Sequence, residues 1–97
     1  MNNADDYIRE HIRAEGRVQG VGFRFWTLKH AQRLGLGGEV FNMPDGSVEA
    51  VFCGGINTIE EMIQLCSKGP ACCCVVNLET VSRVAIAMCP ESFIILR

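Results

Sequence analysis

Hydrophobic positions along the chain follow two periods, one near two residues and one near 3.6, and these periods divide it into elements. Ile8, Ile12 and Ala14 alternate loosely with polar neighbours, which predicts a strand from Ile8 to Glu15, with Glu10 and Arg13 interrupting the pattern. Phe23, Trp26 or Thr27, His30 or Ala31, and Leu34 recur at helical spacing and predict a helix over 23–34. Gly35 follows where a left-handed residue closes a helix. Glu39 to Met43 reads as a short strand, with Val40 and Asn42 on one face and Glu39, Phe41 and Met43 on the other. Pro44-Asp45-Gly46 is a turn. Val48, Ala50 and Phe52 then alternate with Ser47, Glu49, Val51 and Cys53 to give the return strand of a hairpin, broken by Gly54-Gly55. Thr58 and Glu61 match a capping box, and Ile59, Met62, Ile63 and Cys66 carry a second helix that Gly69-Pro70 ends. A β-rich run spans Cys72 to Val84, and Phe93 to Leu96 forms a last short strand.

The order is β-α-β-β-α-β with a terminal strand. Two such βαβ halves pack as an antiparallel sheet with both helices on one face, an α+β, ferredoxin-like sandwich. At 97 residues the chain holds one domain over 1–97, with residues 1–7 read as a flexible tail. The fold alone names no activity.

Composition narrows the field. Hydrophobic residues make up 48% of the chain, enough for one core, and the net charge of −2 argues against a nucleic-acid partner, which would need a basic stripe. An RNA-binding domain of the same topology fails on charge and on missing aromatic platforms. No apolar run is long enough for a membrane span, and the polar, acidic start is unlike a secretion signal. The six cysteines include the consecutive Cys72-Cys73-Cys74, a spacing that suits neither separate disulfides nor zinc pairs. They read as reduced thiols of a cytoplasmic protein. His11 and His30 lack partners at metal spacing, and no metal site is expected.

Candidate chemistry concentrates in Gly16-Arg17-Val18-Gln19-Gly20-Val21-Gly22-Phe23-Arg24. Glycines let a loop curl so that successive N–H groups point inward as an anion-binding nest. The helix behind it adds unpaired N–H groups and the positive end of its dipole. Arg24, in the first turn, brings a planar, permanently charged fork suited to phosphoryl oxygens. The loop is not a P-loop, because no Gly-Lys pair follows the glycines. Nor is it the dinucleotide fingerprint, because Phe25 stands where the third glycine belongs. Asn42, taken alone, either caps the adjoining turn or serves the site; Asp45 reads as a turn residue.

The nine-residue motif resembles the signature of acylphosphatases, small enzymes that hydrolyse carboxyl-phosphate anhydrides. Leu34-Gly35-Leu36, Val40, Asn42, Asp45-Gly46-Ser47-Val48-Glu49 and Gly69-Pro70 continue the resemblance in the family's order over roughly residues 12 to 81. It implies a ferredoxin-like fold, Arg24 as the phosphate-binding arginine and Asn42 as the residue that positions water. It implies a phosphate-binding backbone loop of Gln19, Gly20, Val21, Gly22 and Phe23. It also suggests that the Arg97 carboxylate approaches Arg24. The departures are Glu39, at a position usually aromatic in the family, the Cys72-Cys73-Cys74 run, and a highly charged first strand. These bear on packing more than on chemistry.

The implied reaction is undemanding. A carboxylate leaving group, whose conjugate acid has a pKa of about 4, departs without a proton. Phosphoryl transfer needs mainly positioning and charge stabilisation. Neither metal nor cofactor is expected, and the expected partner is a small acyl phosphate of the acetyl, carbamoyl or bisphosphoglycerate type, met by a monomer. The alternative is a non-catalytic acyl-phosphate or carbamoyl-phosphate binding module, since acylphosphatase-like domains also occur inside larger maturation proteins.

Overall fold

A computed structural model of the chain describes residues 7–96; residues 1–6 of the tail expected at 1–7 and the carboxylate of Arg97 lie outside them. Tyr7, assigned to the tail by sequence, instead opens the first strand. The elements are β1 (Tyr7–Arg17), α1 (Phe23–Arg33), β2 (Gly37–Asn42), β3 (Val48–Gly55), α2 (Ile56–Lys68), β4 (Cys74–Ile86) and β5 (Phe93–Ile95). The sheet order is β4-β1-β3-β2-β5.

Strand β1 pairs antiparallel with both β3 and β4, and β2 pairs antiparallel with β3. Strand β5 departs from the expected antiparallel sheet: it runs parallel to β2, with Val40 opposite Ile95. The reason lies in the connection. Four strand spacings separate β4 from β5, about 19 Å. The residues at 87–92 span about 20 Å when extended, enough to cross the sheet once but not to return to its other end. Strand β5 therefore enters at the end where β4 leaves, which sets it antiparallel to β4 and parallel to β2.

Ile8, Ile12 and Ala14 project from β1 towards the helices, and Val40, Val48, Ala50, Phe52 and Phe93 join them from the other strands. Helix α1 contributes Phe23 and Ala31 and packs on β2 and β5; α2 contributes Ile59, Met62 and Cys66 and packs on β1, β3 and β4. The Phe52 and Phe93 rings stack at 5.5 Å. Glu10, which broke the hydrophobic pattern, is buried on this same face. The Thr80 hydroxyl donates to its Oε2 at 2.7 Å, and Arg83 lies 3.2 Å from its Oε1. A buried carboxylate is tolerable only with such partners.

The expected break at Gly54-Gly55 and the capping box at Thr58 are both corrected. The glycines continue β3, opposite Ile8 and Tyr7, and α2 begins directly at Ile56 with Gly55 at its N-cap and no side-chain cap. Thr58 lies within the first turn. Gly54 serves close approach: a Cβ there would stand 2.5 Å from a methyl of Leu36. Helix α1 ends as predicted, with Gly35 donating to the Gln32 carbonyl and Leu36 to that of Ala31, a Schellman pair.

Candidate active site

The loop between β1 and α1 is pinned at both ends by apolar side chains. Val18 and Phe23 are both buried, and the Phe23 ring packs on Trp26 at 5.7 Å. Between them Gly20 and Gly22 take left-handed conformations, with φ of 75° and 83°. Gly22 is also the N-cap of α1, and its carbonyl accepts from the Trp26 N–H at 3.0 Å. A side chain at either glycine would have open space but a strained backbone, so conformation and not room selects glycine.

The first turn of α1 carries no acidic residue, while His30 and Arg33 stand in the last turn. The helix dipole thus meets an N-terminus ready for an anion and a basic C-terminus. A cavity of about 250 Å³ opens at this N-terminus, lined by Val18, Gly20, Gly22, Phe23, Arg24, Phe25 and Ile95. Arg24 is half-buried and forms no ion pair with any described residue.

Four of the residues singled out by sequence, Gly20, Gly22, Phe23 and Arg24, therefore share one cavity. Val21 packs partly against the core. Asn42 does not line the cavity; it is exposed at the end of β2, two residues beyond Val40, whose partner in β5 is the cavity residue Ile95. Gln19 does not line it either. Its side-chain amide turns away and donates to the carbonyls of Met43 and Ser47, at 2.8 Å each. Sequence reasoning placed Gln19 in the loop, as a residue that shapes it and supplies a backbone N–H, and no local pattern announces a side-chain bond to residues so distant in the chain.

The turn after Asn42 is braced a second time. Asp45 accepts from the Ser47 N–H at 3.0 Å and from the Ser47 hydroxyl at 2.7 Å, and it pairs with Arg13. The spacing of Asp45 and Ser47 is the sequence mark of such an Asx turn. Arg13 also reaches Glu15 at 3.1 Å and Glu49 at 3.3 Å, and His11 Nε2 lies 2.6 Å from Glu49. The Arg13 guanidinium, helped by Ser47, holds the Asp45 carboxyl well below the usual range, and Asp45 in turn raises Arg13. His11, Arg13 and Glu15 of β1 thus form with Glu49 a charged cluster that Arg13 ties to the β2–β3 turn, while Glu10 is buried on the opposite, helix-covered face.

A larger groove of about 740 Å³ lies on that face, lined among others by Arg9, His11, Glu39, Phe41, Cys53 and Cys89. It includes no residue of the β1–α1 loop and none of either helix, so it has no glycine nest or helix N-terminus to join its Arg9 and His11. Glu39 projects into this groove and not into the core, so its departure from an aromatic residue leaves the core packing untouched.

The described residues thus form a five-stranded α+β sandwich with an anion-ready loop at the start of its first helix. Residues 10–93 match the acylphosphatase family. An acylphosphatase of Nitrobacter hamburgensis is 50% identical over 66 residues, 68% of this chain, and the match spans 66% of that relative, just under two thirds of its length. The crystal structure of acylphosphatase from Bacillus subtilis superposes with a TM-score of 0.87 at 28% identity, covering 93% of this chain and 99% of that one. Full-length HypF, solved in a phosphate- and nucleotide-bound form, contains a similar region: TM-score 0.82 and 25% identity over 94% of this chain, but 12% of HypF. The chain belongs to the acylphosphatase family.

Proposed function

We propose that the chain hydrolyses the carboxyl-phosphate bond of small acyl phosphates, giving a carboxylate and inorganic phosphate, without a metal or cofactor. The observation that carries this reading is the cavity at the α1 N-terminus, where two left-handed glycines and Arg24 meet around a volume suited to a phosphoryl group. In it the loop N–H groups from Gln19 to Phe23 take the phosphoryl oxygens, and Arg24 supplies the fixed charge that grows in value as the bond to the leaving group stretches. The acyl group leaves over Phe25 and Ile95. Asn42 holds the attacking water from the end of β2. It is a weak base, and the departing carboxylate makes a stronger one unnecessary. The proposed enzyme is a cytoplasmic monomer with no nucleic-acid partner, and the net charge of −2 and the lack of a basic stripe support the last of these. No helix among the described residues is long and apolar enough to cross a membrane.

The test is hydrolysis of an aromatic acyl phosphate with chelator present, comparing wild type with Arg24→Ala. Chelator-resistant turnover that falls about 10²-fold or more in the variant supports the reading. A folded wild type without turnover favours the second reading, a phosphate-holding module, to which the likeness to one region of the phosphate-bound HypF lends weight.

A further inference from the structure

We infer that the side chain of Gln19 is a positioning residue for this reaction, stapling the phosphoryl loop to the turn that carries Asn42. The assignment rests on the proposed hydrolysis and deepens it. A glutamine amide nitrogen has two hydrogens. Gln19 spends both on the two carbonyls that close the β2–β3 turn, those of Met43 and Ser47. Each carbonyl already accepts a turn bond, from Gly46 N–H at 3.1 Å and from Met43 N–H at 2.8 Å. The amide therefore docks onto a closed ring of hydrogen bonds and not onto a loose strand end. Its orientation is fixed by the partners, since a flipped amide would set its own oxygen against two carbonyls.

The position explains the purpose. Gly20, the next residue, lines the phosphoryl cavity, and Met43 directly follows Asn42. Through Gln19 the loop and the water-holding residue are neighbours; along the backbone, all of α1 and β2 lie between them. The glycines of the loop have no side chains to pack, so its spacing from β2 rests on Val18 and Phe23, on the partly packed Val21 and on this staple. In-line attack is sensitive to that spacing: a shift of about 1 Å is able to cost about 10²-fold.

The decisive variant is Gln19→Met, which keeps length and loses both donors. Turnover should fall about 10-fold or more, while competitive inhibition by inorganic phosphate stays within about 3-fold. In an Asn42→Ala background the same change should cost less than about 2-fold, because Gln19 acts through Asn42. Equal loss in both backgrounds, or phosphate affinity falling in step with turnover, overturns the assignment while leaving the proposed reaction standing. A wild type that turns over no acyl phosphate overturns both. One measurement needs no variant: inorganic phosphate titrated into wild type should shift the Asn42 and Met43 amide resonances together with that of Gly20. A turn that stays silent sinks the staple even if Gln19→Met fails to fold.

Discussion

Arg24 and Asn42 stand differently to the cavity, and under the proposed reaction this shapes what each substitution should do. Arg24 lies in the cavity wall, so Arg24→Ala should weaken phosphate binding as well as turnover. Asn42 stands outside the wall at the end of β2, so Asn42→Ala should lower kcat by about 10²-fold with little change in phosphate inhibition. Steady-state kinetics with inorganic phosphate as inhibitor separates the two, and near-wild-type kcat in Asn42→Ala would remove its water-holding role. Phe25 is 59% exposed at the cavity mouth, with the Lys29 ammonium 5.7 Å from its ring centroid. Phe25→Ala should raise KM for an aromatic acyl phosphate by about 3- to 10-fold and leave acetyl phosphate nearly unchanged, since stacking of this kind contributes about 0.5–1.5 kcal/mol. Equal changes for both substrates would show that the acyl group leaves elsewhere.

The cysteines divide by burial at the same scale. Burial pushes the Cys66 thiol up to about 12, and it pushes Cys53 upward as well. Cys72 and Cys74 are exposed. A thiol reagent at neutral pH should modify Cys72 and Cys74 first and reach Cys66 only on unfolding; mass mapping of labelled peptides reads this directly. Because the folded value of Cys66 is raised, its contribution to stability is fully present below the unfolded value of about 8.5 and is lost as pH rises towards the folded one.

At the level of elements, the turn between β2 and β3 carries more than a hairpin needs. Arg13 reaches it from β1 and Gln19 from the loop. The Asp45 carboxylate is depressed in the folded state, so its stabilisation is present above the unfolded value of about 3.9 and is lost as pH falls towards the lower folded value. Melting temperatures of wild type and Asp45→Asn should therefore differ at neutral pH, and the gap should start to narrow at about pH 3.9 and shrink steadily as pH falls further. A gap that persists unchanged into acid would mean the stabilisation is not ionic. The sequence made α1, the hairpin and the loop readable because their signals are local: helical spacing, Pro44-Asp45-Gly46, and clustered glycines. It misplaced the start of α2 because the chain turns at Gly54-Gly55 without a cap, held by contact with Leu36 from another element. It missed the direction of β5 because that direction is set by the geometry of a crossing. Of the candidate site, the sequence marked Gly20, Gly22, Phe23 and Arg24, which share one cavity, but not the tethers, since Gln19 and Arg13 act on residues far along the chain.

For the whole molecule, the strand order has a consequence in time. The first strand of the chain lies inside the sheet, with Tyr7 opposite Gly55 on one side and Ile86 on the other. Neither edge of β1 finds its partner until a long loop has closed. Refolding should therefore be slow for so small a domain, on the order of milliseconds to seconds. A stopped-flow phase of microseconds would contradict it. Until β3 and β4 arrive, β1 presents two unpaired edges, and β4 remains an edge strand in the finished fold, with Val76, Val81 and Val84 exposed. The interval before closure is thus when the chain is most open to pairing with another copy of itself, and its yield on refolding should fall as protein concentration rises.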